Sequence, residues 1–362
     1  MEIVTVNLGK NSYRIFIDYH HLPLLGKLMQ ELTLGKNVAL ITDSRVSNLH
    51  GNRVMAVLRE HGYRPFLISV PEGEDYKSLA TATGIYDELI ARKMDRRSPI
   101  LALGGGVIGD LAGFVAGTFL RGVPFLQIPT TLLAQVDSSI GGKMAVDHPR
   151  GKNLIGCFYQ PRLVFVELDF LSTLPLREFI AGLAEVVKYG LIADRSFFEY
   201  LEQHRFLIQN RNPAVIGQVV TRCCEIKADF VEKDEKEEIG VRTILNYGHT
   251  LGHALETVAA YRGYSHGEAV ALGMVFASQL SVRLGLMKEE EQKRLVSLLK
   301  DFGLPVQLPK VEVDSLLKTI EYDKKVISGE IQFVLTKGIG HAIISREVSL
   351  DIIRELLIQQ ME

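Results

Sequence analysis

Short, almost unbroken apolar runs punctuate the first 170 residues: NVALITD at 37–43, RPFLISVP at 64–71, PILALGGG at 99–106, VPFLQIPTT at 123–131 and RLVFVELD at 162–169. Gly, Pro or Asp bounds each run, and helix-like stretches separate them. They therefore read as strands buried on both faces, the pattern of a parallel α/β sheet. The N-terminal MEIVTVNLGKNSYRIFID instead mixes charges into a strand-like alternation. Beyond about Phe170 the period changes. LREFIAGLAEVVKYGLIA, AVIGQVVTRCCEIKADFVEK, GEAVALGMVFASQLSVRLG and EEEQKRLVSLLKDFG carry apolar residues at helical spacing, so the second half is expected to be mainly helical. IQFVLTKGIGHAIIS, at 331–345, is the exception and reads as a small hairpin. The change of texture, between about 170 and 178 and without a flexible linker, divides the chain into expected domains 1–172 and 173–362. No internal repeat or low-complexity tract suggests a solenoid or a scaffold.

Composition narrows the class of partner. The chain has 362 residues with 41 Lys+Arg against 43 Asp+Glu, a formal charge of −2. Neither half is basic: residues 1–170 carry 18 basic and 16 acidic groups. Nothing here attracts nucleic acid or an anionic membrane. Cys157, Cys223 and Cys224 are odd in number and form no CxxC pair, which fits a reducing cytoplasm. The N-terminus lacks the pattern of a secretory signal, and no run of about 18 apolar residues could span a bilayer.

Three stretches could carry chemistry. LGGGVIGDLAGFVAG places glycines at 104, 105, 106, 109, 113 and 117 after a strand and into a helix. Such a turn either lets the backbone approach a pyrophosphate or merely packs tightly, and Asp110 favours the first reading. In IPTTLLAQVDSSIGGKMAVDHPRGKNLIG, the residues Thr130, Thr131, Asp137, Lys143, Lys152 and Asn153 lie among glycines, a set suited to phosphate. NYGHTLGHALE puts His249 and His253 one helical turn apart, and His266 follows in YSHGEAVALG. Clustered imidazoles suggest zinc, and Glu185 in the apolar GLAEVVKYG supplies an anion, with Lys188 as its alternative salt-bridge partner. Spacing alone pairs His249 with His253 on the metal. Thr250 stands where a zinc protease would need its glutamate, which argues against that class. On a continuous helix Arg242 and Asn246 would share the stripe of His249, and an Arg there suits a carboxylate or phosphate.

These motifs, in this order and over most of the chain, resemble the 3-dehydroquinate synthases. The resemblance implies an α/β N-terminal Rossmann-like NAD-binding domain, a mainly α-helical C-terminal metal- and substrate-binding domain, an active site between them, and a homodimer, which joins the cytoplasmic location expected from the cysteines. It replaces the spacing-based pair with Glu185, His249 and His266 as ligands of zinc or cobalt, and makes His253 a substrate-contacting, proton-handling residue. NAD contacts are implied at Asp43, Glu72, Gly73, Glu74, Lys77, Gly106, Val107, Ile108, Gly109, Asp110, Thr130, Thr131, Lys143, Lys152, Phe170, Thr173 and Glu178. The substrate, 3-deoxy-D-arabino-heptulosonate 7-phosphate, would be held by Asp137, Lys143, Lys152, Asn153, Lys188, Lys227, Glu238, Arg242 and Asn246. Arg121 would enter from the other subunit, and either Lys324 or Lys325 would reach the phosphate. Two neighbouring readings compete. A 2-deoxy-scyllo-inosose synthase would leave Arg242 without a carboxylate to bind, and a metal-dependent polyol dehydrogenase would not need Lys143, Lys152 and Asn153.

Overall fold

Alternate residues of the apolar runs face opposite sides of one sheet, which is why so few polar positions interrupt them. On the strand Asn37–Asp43, Ala39 and Ile41 enter one buried cluster while Val38 and Leu40 enter another. Ile100 and Ala102 likewise oppose Leu101 and Leu103 on the next sheet neighbour. The computed structural model describes residues 1–258, 263–327 and 332–361, without the side chains of 322–327 and 361.

The chain begins with β1 (Glu2–Val6), β2 (Tyr13–Asp18), α1 (Leu25–Glu31), β3 (Asn37–Asp43), α2 (Ser44–Val46), α3 (Asn52–Glu60), β4 (Arg64–Val70) and α4 (Leu79–Ala91). It continues through β5 (Ile100–Gly104), α5 (Gly106–Thr118), β6 (Phe125–Pro129), the hairpin β7 (Lys143–His148) and β8 (Gly151–Phe158), and β9 (Leu163–Glu167). Seven strands form one sheet in the order β1-β2-β9-β6-β5-β3-β4. Its pairings are parallel except β1 on β2, which run antiparallel with Glu2 opposite Ile17. Each of the five apolar runs yields a strand within one or two residues of its sequence bounds. The β7–β8 hairpin has no counterpart in the sequence reading.

Helices then dominate: α6 (Leu176–Ala193), α7 (Arg195–Gln209), α8 (Pro213–Lys233), α9 (His249–Val258), α10 (His266–Arg283), α11 (Glu289–Asp301), α12 (Val313–Ile327) and α13 (Leu350–Met361). The hairpin expected at 331–345 is present as β10 (Phe333–Thr336) paired antiparallel with β11 (Ala342–Ser345). The chain separates into two compact units, one of residues 1–175 with 220–236 and one of 176–219 with 237–362. The first unit is thus discontinuous, unlike the division at 172 read from the sequence: it includes the last fourteen residues of α8. The second has its own core, in which Leu251, Leu255, Phe276, Leu316, Phe333 and Leu357 meet.

One helix is shorter than the histidine spacing suggested. Residues Val241–Asn246 form a 3-10 turn, Tyr247 leaves it in an extended conformation, and Gly248 has φ +80° before α9 starts at His249. Arg242 and Asn246 therefore do not share a helical stripe with His249. Gly248 is required here, because a left-handed residue with its Cβ 2.9 Å from Met274 N admits no side chain.

Candidate active site

In the first unit, the residues expected to bind a nucleotide follow the C-terminal ends of parallel strands. Asp43 ends β3, Glu72 to Lys77 follow β4, Gly106 to Asp110 open α5 after β5, Thr130 and Thr131 follow β6, and Phe170 and Thr173 follow β9. From β3 the chain adds β4 on one side and then β5, β6 and β9 on the other. The β3/β5 boundary is therefore the switch point at which open α/β sheets bind ligands.

The glycine cluster divides in two. Gly105 and Gly106 form the turn into α5, where a Cβ on Gly106 would lie 3.1 Å from Ser138 Oγ. A Cβ on Gly109, Gly113 or Gly117 would instead fall 2.9 Å from Gln127 Oε1, 2.1 Å from Met144 Sδ or 2.9 Å from Cys157 Sγ. These three seat the helix on β6 and on the β7–β8 hairpin, and a Cβ on Gly104 would fall 2.7 Å from Ile108 Cβ, so tight packing accounts for four of the six glycines. The ring of Phe170 is fully buried and lies 4.3 Å from His50, while Thr173 Oγ1 bonds the Nε2 edge of that His50 at 2.9 Å. Phe170 and the buried Ile108 thus offer a nucleotide only backbone.

Around α5 the polar side chains form a chain of ion pairs. Lys77, only 4% exposed, places Nζ 2.6 Å from Asp110 Oδ2 and 2.6 Å from Asn153 Oδ1. Burial opposes its charge, but Asp110 and Glu74 hold the ammonium above its ordinary range. Asn153 has φ +56°, a left-handed conformation, and its N–H donates to Asp147 at 2.8 Å. Lys152 Nζ lies 3.5 Å from Glu74 Oε1. Lys143 stands at the opposite end of the hairpin, paired with Phe158 whereas His148 pairs with Gly151 next to Lys152. Five residues of strand separate the two backbones by roughly 15 Å, so the structure does not gather Lys143, Lys152 and Asn153 on one backbone turn. Lys227 Nζ lies 2.8 Å from Asp137 Oδ1 and donates to the Asp137 carbonyl at 2.7 Å. Asp43 caps α2 through a 2.8 Å bond from Val46 N, and burial raises its pKa. Glu72 pairs with Arg45 at 3.4 Å, and Gly73 takes φ +121°. Leu120, Arg121 and Gly122 are consecutive residues with positive φ, 51°, 67° and 114°, and Arg121 is exposed.

In the second unit, three helices converge on Glu185. Its carboxylate, 0% exposed on α6, forms an ion pair with Lys188 and lies 3.5 Å from His249 Nε2 and 3.7 Å from His266 Nε2. One donor atom from each of Glu185, His249 and His266 lies within 4.8 Å of the others. The other nitrogens are engaged elsewhere: His249 Nδ1 is 3.1 Å from the Tyr247 carbonyl, and His266 Nδ1 is 3.5 Å from Glu256 Oε1. Both rings therefore present Nε2 to a buried carboxylate. One anion and two imidazoles fit a divalent ion and leave room for an exogenous ligand. Burial and the Lys188 ammonium push His249 well below its usual range. At His266 burial is outweighed by Glu185 and Glu256, which hold it at about 9.

Glycines bring the three elements this close. A Cβ on Gly267, next to His266, would fall 1.9 Å from Ala181 O, one turn before Glu185. A Cβ on Gly273 would fall 1.8 Å from Gly248 O, next to His249. The sequence reading missed these glycines and Glu256, although each lies inside a quoted motif. Ser265 and Glu268 form a capping box at the start of α10, and Glu268 is gripped by Arg177 at 2.9 and 2.8 Å. His253 is exposed on α9, its ring 5.3 Å from His249 and edge-on to it. Arg242 is 3% exposed, Asn246 half-buried, and Glu238 exposed in the segment before Gly240. Glu178 lies exposed in the first turn of α6, in this unit and not with the other nucleotide residues. Lys324 and Lys325 fall where side chains lie outside the described residues.

Two family models match consecutive parts of the chain. Residues 67–181 match the model of the 3-dehydroquinate synthase N-terminal family, and residues 182–326 that of its C-terminal counterpart. The chain is 54% identical to a 3-dehydroquinate synthase of Pelobacter propionicus, over 95% of this chain and 96% of that one. It is 48% identical to one of Thermodesulfovibrio yellowstonii over 99% of both. Among solved structures, 2-epi-5-epi-valiolone synthase of Streptomyces hygroscopicus subsp. jinggangensis 5008, with NAD+ and Zn2+ bound, superposes with TM-score 0.89 at 28% identity over 98% of both chains. A 2-deoxy-scyllo-inosose synthase complexed with carbaglucose-6-phosphate, NAD+ and Co2+ gives TM-score 0.88 at 28% identity, covering 99% of this chain and all of that one. A probable glycerol dehydrogenase of Sinorhizobium meliloti, 14% identical, shares the fold alone. Near-complete coverage by relatives of one name, together with both domain models, shows that the chain belongs to the 3-dehydroquinate synthase family.

Proposed function

We propose that this chain converts 3-deoxy-D-arabino-heptulosonate 7-phosphate into 3-dehydroquinate and inorganic phosphate, a carbon–oxygen lyase reaction of aromatic biosynthesis. The observation that carries the reading is the Glu185, His249 and His266 constellation in a chain so similar to these synthases along its whole length. When bound, NAD supplies a hydride acceptor that later returns the hydride, and a divalent ion such as zinc or cobalt supplies a Lewis acid for vicinal hydroxyls.

The protein's own groups then position charge. Glu185, His249 and His266 hold the ion, and the residues after β3, β4, β5, β6 and β9 hold the dinucleotide, with Glu178 from α6. Lys152 and Asn153 take the phosphate, and Lys143, at the other end of the hairpin, takes a different part of the substrate. Arg242, with Asn246, offers a planar fork to the carboxylate. Lys188, Asp137, Lys227 and Glu238 complete the polar contacts, and His253, exposed beside His249, carries protons to and from the substrate hydroxyls. Oxidation at C5 acidifies the C6 proton, which a phosphate oxygen removes as phosphate leaves. After reduction the ring opens and an internal aldol closes the carbocycle.

A cytoplasmic homodimer is part of the same reading, supported by the free cysteines and by Arg121 held outward in its left-handed turn. Light scattering at the dimer mass is the expected result. No described helix is long and apolar enough to cross a membrane. The deciding assay follows phosphate release from the heptulosonate phosphate with catalytic NAD. Phosphate should appear with no net change at 340 nm. Stoichiometric NADH would assign a dehydrogenase, and preference for a sugar 6-phosphate would assign a sister cyclase.

A further inference from the structure

We propose that Glu256 is a positioning residue that orients His266 for the metal, a step beyond the ligand set and resting on that reading of Glu185, His249 and His266. Glu256 is 7% exposed on α9, and its Oε1 is 3.5 Å from His266 Nδ1 while His266 Nε2 faces Glu185 at 3.7 Å. An imidazole with its Nδ1 edge toward a carboxylate keeps the proton there and leaves the Nε2 lone pair for an ion. His249 reaches the same tautomer by a different route, through the Tyr247 carbonyl. That carbonyl is fixed by the Gly248 turn, so His249 needs no carboxylate partner to set its ring. His266 is the first residue of α10, and its backbone is locked by the Ser265–Glu268 box and the close approach of Gly267 to Ala181. The locked backbone leaves the ring rotation to be set from outside the helix, and Glu256 supplies that constraint.

A competing use of the same atoms is a second ion held by His253, Glu256 and His266, whose donors also lie within 4.8 Å of one another. Glu256 and His266 Nδ1 serve the proton-holding role with no further charge, whereas a second cation beside the first would repel it. Stoichiometry separates the two uses.

The experiment measures zinc uptake by the chelator-stripped full chain in competition with a chromophoric chelator, for wild type, Glu256→Ala and Glu256→Gln. Wild type should bind one equivalent, Glu256→Ala should bind about 10- to 100-fold more weakly, and Glu256→Gln, whose amide oxygen can accept the Nδ1–H, should recover most of that loss. The visible spectrum of the cobalt-loaded variants should change with Glu256→Ala, while NAD affinity stays at the wild-type value. The Gln variant preserves shape, so it keeps the test decisive if Glu256→Ala does not fold. Wild-type affinity in Glu256→Ala, or in Glu256→Gln a loss as large as that of the Ala variant, overturns the role. So does a second zinc equivalent that disappears with Glu256. A wild-type protein that takes up no zinc overturns the ligand set itself and this role with it.

Discussion

At the residue level the strongest constraint is steric. Gly267 and Gly273 have no space for a methyl group, and the atoms in the way are backbone carbonyls that cannot rotate aside. Gly267→Ala should therefore lower stability by about 3 kcal/mol or more, at or above the upper end of ordinary overpacking. Urea denaturation of the variant would show it as a reduced midpoint, and an unchanged midpoint would mean that α10 can shift without loss. Arg242→Ala tests the carboxylate assignment. Removing a charge-assisted pair of hydrogen bonds worth about 3 kcal/mol should reduce kcat/KM by about a hundredfold and leave NAD binding intact. Unchanged kcat/KM would take Arg242 out of that role. The histidines were legible as a cluster because three fall within eighteen residues. Spacing alone, however, paired His249 with His253, because a sequence does not show that glycine lets a distant helix bring Glu185 and His266 to the same point. Glu256 was hidden for a similar reason: its partner lies ten residues on, at the start of a different helix.

Strands buried on both faces were readable as near-continuous apolar runs, whereas the β7–β8 hairpin, buried on one, was not. β3, β5, β6 and β9 appear as unbroken apolar runs. The β7–β8 hairpin buries Met144 and Val146 but exposes Lys143, Asn153 and Leu154, so its composition resembles a loop. The helix proposed through Arg242 failed at Gly248, whose neighbours satisfy helical spacing although its φ does not. At the end of β9, Glu167 accepts backbone N–H bonds from His20 and Leu22, both at 2.8 Å, with His21 Nδ1 at 3.4 Å. Burial opposes its charge, yet His21 and the backbone N–H groups of Asp169 and Leu22 leave the carboxyl below its ordinary 4.5. A depressed folded pKa stabilises the fold above the unfolded value and ceases to do so as pH falls through the folded one. Glu167→Gln should cost about 2 kcal/mol at pH 7, because one N–H loses its acceptor. The gap to wild type should narrow below about pH 4.5. Urea titrations at pH 7 and in the acid range compare the two, and a gap independent of pH would exclude ionisation as its origin.

For the whole molecule, metal dependence is the test that spans fold and function. Removing the ion with a chelator should abolish phosphate release, and either zinc or cobalt should restore it. Full activity in demonstrably metal-free protein would discard Glu185, His249 and His266 as ligands. The near-neutral balance of the chain has a local counterpart, since Lys77, Lys152, Lys188 and Lys227 each pair with a carboxylate, of Asp110, Glu74, Glu185 and Asp137, and are not spread as a basic surface. The discontinuous first unit has a further consequence, for synthesis. Residues 220–236 supply Cys224, packed on the Gln135 carbonyl at 3.4 Å, and Lys227, paired with Asp137. A nascent chain that has emerged only to Pro175 therefore lacks part of that unit. About 60 more residues must leave the ribosome before it can close, a delay of roughly 3–12 s at ordinary elongation rates. Arrested nascent chains ending near residue 175 should be cleaved readily by protease and those carrying residue 236 clear of the exit tunnel should resist it; equal resistance would show that the sheet matures without the late helix.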